Sequence, residues 1–218
     1  EDALGSRGTI VYMAECDRLS FAKAQTLTEH ATKEMARVYR RAIAKGLKLY
    51  VNNRLLGAFD PTYAMSTARH VQFLDDATEK TSRLIRHVTV DIPISEASDA
   101  PKAPVAIRLY KLPIEEWSQL PKKTLKNDLQ LFNGLTVSIL RNNRELFADR
   151  MPDLTTRHSI THWFRVQIDF PGVLDEAFGV ATNKQGVRLK DYVKRAIKSA
   201  IGDDISTVIN EIRRFQSE

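Results

Sequence analysis

Cysteine is nearly missing from this chain: Cys16 stands alone among 218 residues. That excludes an internal disulfide and a thiolate-based metal cluster, and it fits a reducing compartment, so the cytoplasm is the expected location. Glu15 and Asp17 flank the thiol with negative charge, a poor setting for a thiolate nucleophile. Glycine is also scarce, with nine residues. There is no glycine-rich phosphate loop followed by lysine, no Gly-x-Gly-x-x-Gly and no Gly-x-Ser-x-Gly elbow, so a self-contained nucleotide pocket or a serine-hydrolase site is not written here. No apolar run approaches the length of a membrane span. His158 and His162 have the i, i+4 spacing of a ligand pair, but β-branched residues stand between them and no third ligand is evident. Positioning or core roles are expected for both.

What is present is an ordinary globular composition, 43% hydrophobic and 28% charged, with a mild excess of base that gives a net charge of +6. Such a charge is compatible with a nucleic-acid partner without requiring one. The alternation of Val88, Val90, Ile92 and Ile94, of Val105, Ile107 and Leu109, of Leu135, Val137 and Ile139, and of Phe164, Val166, Ile168 and Phe170 predicts four strands. Asn52-Asn53 and Asn142-Asn143 supply the positive-φ pairs of two tight hairpins. Residues 95–104 are polar and proline-containing, and read as an exposed, mobile loop. Pro113 opens a short helical turn.

Helices are expected at both ends. Leu27, Ala31, Met35, Val38 and Ala42 form an apolar stripe within residues 21–45, closed by Gly46. The other face carries Lys33, Arg37, Arg40 and Arg41. Toward the C-terminus, Leu189, Val193, Ile197 and Ile201 form one stripe and Ile205, Val208, Ile209 and Ile212 a second, with a break expected at Gly202-Asp203. Ile10-Val11-Tyr12-Met13, after Gly8-Thr9, reads as one more strand. The fold expected is α+β, a mixed or antiparallel sheet covered by helices on one face.

One segment does not read as generic surface. Residues 174–188 follow the last strand and precede the final helices, and they hold two glycines, Thr182, Asn183, Lys184 and Gln185. A lysine on such a loop can place a compact positive charge on a phosphate, with nearby backbone amides assisting. An exposed lysine on a connecting loop is the competing reading.

These residues in this order resemble the end of the ATP-binding domain and the adjoining transducer domain of GHKL-class ATPases, closest to MutL-like and MORC-like proteins. Gly8-Thr9-Ile10-Val11 is similar to the strand that closes the Bergerat-type ATP-binding fold. The arginine-rich helix followed by Leu-x-Leu-x-Val-Asn-Asn-Arg at 47–54 resembles the transducer opening. Phe178-Gly179-Val180-Ala181-Thr182-Asn183-Lys184-Gln185 resembles the switch loop, whose lysine crosses to the γ-phosphate of ATP. The resemblance implies a left-handed βαβ transducer fold of ribosomal-protein type. It implies residues 1–20 as the terminal strand and linker of an ATP-binding domain, and residues 21–218 as the transducer. Lys184 then has the catalytic role, with Thr182, Asn183, Gln185, Gly8 and Thr9 near the nucleotide. ATP and Mg would be held mainly by the preceding domain, whose Glu, Asn, Asp-x-Gly-x-Gly and lid motifs are not in this sequence. The chain alone is therefore expected neither to bind ATP tightly nor to hydrolyse it, and its abrupt start reads as that of a fragment. Expected partners are the ATP-binding domain, a second copy and DNA, with no membrane. The alternative is a nucleic-acid-binding module of the same fold without a nucleotide role, using Arg37, Arg40 and Arg41 on one helix and Lys122, Lys123 and Lys126 near a loop.

Overall fold

The computed structural model describes residues 8–151, 159–180 and 186–217. Two helices come first, α1 (Ala24–Val38) and α2 (Arg40–Ala44), followed by a small hairpin, β1 (Tyr50–Val51) and β2 (Arg54–Leu55). The main sheet contains β3 (Arg83–Pro93), β4 (Lys102–Lys111), β5 (Val137–Arg141), β6 (Arg144–Asp149) and β7 (Phe164–Phe170), in the order β3-β4-β7-β5-β6. The pairing of β5 with β7 is parallel and the other pairings are antiparallel, so the sheet is mixed. A short helix α3 (Ile114–Trp117) follows Pro113, and a single long helix α4 (Asp191–Ser217) ends the described chain. The α+β class expected from the residue pattern is the class observed.

Both hairpin turns form as their sequences dictate. Asn52 and Asn53 have φ of 47° and 62°, and Asn142 and Asn143 have 48° and 69°, the paired left-handed geometry that matches the twist of the flanking strands. Gly46, at φ 101°, ends α2.

The strand register separates two chemically different faces. Val88, Ile107, Ile168 and Ile139 lie side by side across the sheet, with Leu109, Val166 and Val137 one pleat away. Val193, Ile197, Ile201, Ile205, Val208 and Ile212 of α4 bury against this face in one continuous core. Each such side chain removed from water contributes about 1.5–3 kcal/mol, which explains why α4 runs straight through Gly202 instead of breaking there. The two expected stripes are one stripe, stepping by four and three residues. A mid-helix glycine costs only about 1 kcal/mol, less than the core loses if either half detaches.

Ile10, Val11, Tyr12 and Met13 do not form the expected strand. They are 63–87% exposed and pair with no strand of the described sheet. A strand needs a ladder partner for its backbone N–H and C=O groups, and none lies beside them. The loop between β3 and β4 is shorter than expected, because β4 already begins at Lys102 and Ile94 N–H donates to the Pro101 carbonyl at 2.9 Å.

Candidate functional site

The second face of the sheet is polar and lies under α1, α2 and residues 56–82. A bulge in the β5–β6 ladder between Ile139 and Leu140 sets Glu145 opposite Leu140, so the carboxylate projects toward the helices. There it meets Arg40, whose Nη1 donates to Glu145 Oε2 at 2.6 Å and whose Nη2 donates to Ser138 Oγ at 3.0 Å. Arg37 pairs with Glu145 and Glu34, and Arg41 Nη1 donates to Asp169 Oδ2 at 2.9 Å. Asp60 lies 3.4 Å from Arg40 Nε while accepting from the Thr62, Ala64 and Met65 amides.

This corrects the sequence reading of α1 and α2. Arg40 is 1% exposed, so it cannot meet a nucleic acid on a solvated face, and Arg37 and Arg41 are committed to internal carboxylates. The helix buries Ala36 and Arg40, while Leu27, from the expected apolar stripe, is exposed and Met35 and Val38 are half-buried. Burial lowers the pKa of Arg40 to about 10, against the pull of Asp60. Arg165, also buried, makes no ion pair among the described residues. Its guanidinium donates to the carbonyls of Pro61, His162, Phe164 and Leu131, and it sits 5.2 Å from the Tyr63 ring centre. Lys122, Lys123 and Lys126 behave differently. They are exposed on one short helical stretch after Pro121, and none is ion-paired among the described residues.

The second candidate region is the connection from β7 to α4. β7 is flanked by strands on both sides and ends at Phe170, whose ring stacks on Phe178 with centroids 3.8 Å apart. Arg141, at the end of β5, makes a bidentate pair with Asp175, Nε to Oδ1 at 2.6 Å and Nη2 to Oδ2 at 2.9 Å. The chain then turns at Gly179, where φ is 56° and an added Cβ would stand 2.1 Å from the Arg188 carbonyl oxygen. Arg188 N–H returns to the Phe178 carbonyl at 3.1 Å, Lys190 N–H returns to Ala177 at 3.1 Å, and Lys190 pairs with Glu176 at 2.8 Å. The glycine is thus required by a close backbone crossing. The two ends of the loop are tied together where it leaves the sheet and enters α4. Thr182, Asn183, Lys184 and Gln185 belong to this loop but lie outside the described residues, as does His158. Gly8 and Thr9 are exposed and carry no assigned structure.

His162 packs edge-on to Phe132 at 5.0 Å, and burial with nearby Arg165 and Arg150 holds its pKa below the usual value. Among the described residues no group of three or more His, Cys, Asp or Glu side chains is arranged to hold a metal, and no helix is long and apolar enough to cross a membrane. The Arg40–Glu145–Asp60 cluster has no local signature, because its members are 20 to 105 positions apart; the concentration of arginine in α1 and α2 is the one hint of it. Compared with family models, curated proteins and solved structures, the chain matches none of them.

Proposed function

We propose that this chain is a transducer module, coupling ATP binding and hydrolysis in an adjoining GHKL-type domain to a change in domain orientation. The observation that carries the reading is the tied base of the 180–187 loop, fixed to the end of β7 by Gly179, Arg188 and Lys190 and leading directly into α4. A loop held in this way can deliver Lys184 to a phosphate without the cost of ordering its ends. Loss of the γ-phosphate then reaches α4 and the sheet rather than being absorbed by slack. A charge-assisted contact of about 1.5–3 kcal/mol shifts a two-state orientation roughly ten- to hundredfold. That is enough for a switch, and ATP chemistry itself belongs to the adjoining domain with its Mg. DNA processing, repair or defence is the setting the family resemblance suggests. In the protein that joins this chain to its ATP-binding domain, Lys184→Ala lowers ATP turnover or ATP-dependent dimer closure. Unchanged turnover together with unchanged closure removes the proposal.

The second reading, a nucleic-acid-binding module, is favoured by a different observation: Lys122, Lys123 and Lys126 stand on one exposed stretch, with no ion pair among the described residues. It predicts DNA or RNA binding by this chain without ATP, weakening steeply with salt and lost when the three lysines are replaced by glutamine. Arg40 does not contribute to it, because it is buried.

A further inference from the structure

Between the N-terminal half of α1, the β1–β2 hairpin and the turn at Arg69–Phe73 lies an open cavity of about 870 Å³, on the α1 side of the molecule and built from none of the residues of the β7–α4 loop. Its size falls in the range of small-molecule sites. Three cations line it, Lys33, Arg54 and Arg69, and none of them makes an ion pair with the described residues. Four other arginines, Arg37, Arg40, Arg41 and Arg141, each have a carboxylate partner. One acid, Glu29, reaches the cavity wall, and Gln25 donates to it. Two positive charges are left uncompensated.

Arg69 is the centre of the arrangement. Gly57 passes so close that an added Cβ would come within 3.3 Å of Arg69 Cβ, and the guanidinium carbon lies 4.9 Å from the centre of the Phe59 ring. The side chain is therefore positioned, yet its Nε is buried and donates to no acceptor. A buried donor left without a partner is costly. Burial works against protonation of Arg69, Tyr63 favours it and Arg54 opposes it, and both arginines line the cavity without an ion-pair partner among the described residues. An anion bound in the cavity supplies the counter-charge that both arginines lack. Hydroxyls of Thr32 and Ser66 and the ring of Phe73 complete the wall, adding donors for ester oxygens and an apolar surface for the rest of a ligand.

We infer that this cavity is a binding site for a phosphate monoester of a small organic molecule, held by Arg69 and Arg54 with Lys33 as the outer cation. A monoester carries close to two negative charges at neutral pH, which matches the uncompensated charge, and two arginines suit bidentate recognition of its oxygens. A phosphodiester carries one charge per phosphate, half that of the monoester, so the small molecule is the better match to two uncompensated cations in one cavity.

The test uses the 218-residue chain with phenyl phosphate as probe, phenol as the probe lacking charge, and a single-stranded oligonucleotide as the polymeric phosphate. Calorimetry measures affinity, and amide NMR shifts locate the site. Expected are saturable phenyl phosphate binding, shifts at the Gly57, Ala58 and Arg69 amides, no binding of phenol, and a loss of affinity of about tenfold or more in Arg69→Gln and in Arg54→Gln. Arg54 is exposed, so the second variant keeps the test valid if the first perturbs folding. The inference is overturned if phenyl phosphate does not bind by about 10 mM, if both variants bind it unchanged, or if the oligonucleotide alone binds in a manner sensitive to Arg69. Loss of ATP coupling in Lys184→Ala has no bearing on these outcomes, so the two proposals fail separately.

Discussion

Replacing Glu145 by alanine strikes the point where α1 and α2 are fastened to the sheet. The carboxylate is fully buried and pairs with Arg37 and Arg40, and Ser138 Oγ donates to it. Its removal leaves Arg40 buried with three remaining contacts, the Arg37 carbonyl at 3.1 Å, the Ser138 hydroxyl and Asp60 at 3.4 Å. Asp60 is a poor substitute, since the Thr62, Ala64 and Met65 amides already donate to it. Breaking a buried ion pair from one side costs about 3–5 kcal/mol, against a total stability on the order of 5–15 kcal/mol for a domain. Ser138 and Asp60 retain part of the interaction, so the expected loss is near the lower figure, about 3 kcal/mol. In urea, with a slope of roughly 2–3 kcal/mol per molar, the midpoint falls by about 1–1.5 M. The double variant Arg40→Leu/Glu145→Leu recovers part of this loss, because the buried guanidinium is gone, while Asp60 loses its cation and keeps only the hydrogen bonds from Thr62, Ala64 and Met65. A single-variant loss below about 1 kcal/mol, the level of a surface pair, would refute the reasoning that this network is desolvated and fastens the helices.

Gly202→Ala stabilises the chain by about 0.5–1 kcal/mol, since α4 is continuous there and the new methyl meets only Lys198 Cγ at 3.8 Å; a destabilisation measured in urea would contradict an unbroken α4. Gly179→Ala costs about 1–3 kcal/mol through the left-handed backbone and the collision with the Arg188 carbonyl, and hydrogen exchange at Arg188 and Lys190 quickens. Acid weakens the fold through His70, which is fully buried, bonded from Nε2 to the Lys80 carbonyl at 2.9 Å, and has its pKa lowered chiefly by burial. The unfolded chain takes up the proton first as pH falls below about 6.5, so stability drops from there toward the lower folded value, by up to about 1.4 kcal/mol per pH unit. His70→Gln reduces that slope, and an unchanged slope in the urea midpoint between pH 7.5 and 5 would assign the acid sensitivity elsewhere.

What the sequence disclosed and what it hid follow from range. The Asn-Asn turns and the alternating strands rest on contacts a few residues apart, and they formed where the local pattern places them. Gly202-Asp203 misled because a glycine penalty is visible locally, while the apolar face of β3, β4 and β7 that outweighs it is not. The burial of Arg40 is hidden for the same reason: an arginine looks solvated until Glu145, more than a hundred residues later, is seen beneath it. Gly179 announced itself as a flexible residue, but the need for it lies in Arg188, across the loop. The cavity around Arg69 left no sequence signal, since Lys33, Arg54 and Arg69 sit on three different elements.

The central claim is that the tied loop carries Lys184 to the γ-phosphate of ATP bound by an adjoining domain. The most direct measurement is labelling with an ATP analogue bearing an acyl group on its γ-phosphate, which transfers that group to a lysine amine beside it. Applied to the protein containing both domains and read by peptide mass spectrometry, it should acylate Lys184, with protection by excess ATP and loss of that label in Lys184→Ala. Labelling of other lysines in an ATP-protected manner while Lys184 stays unmodified would contradict the account.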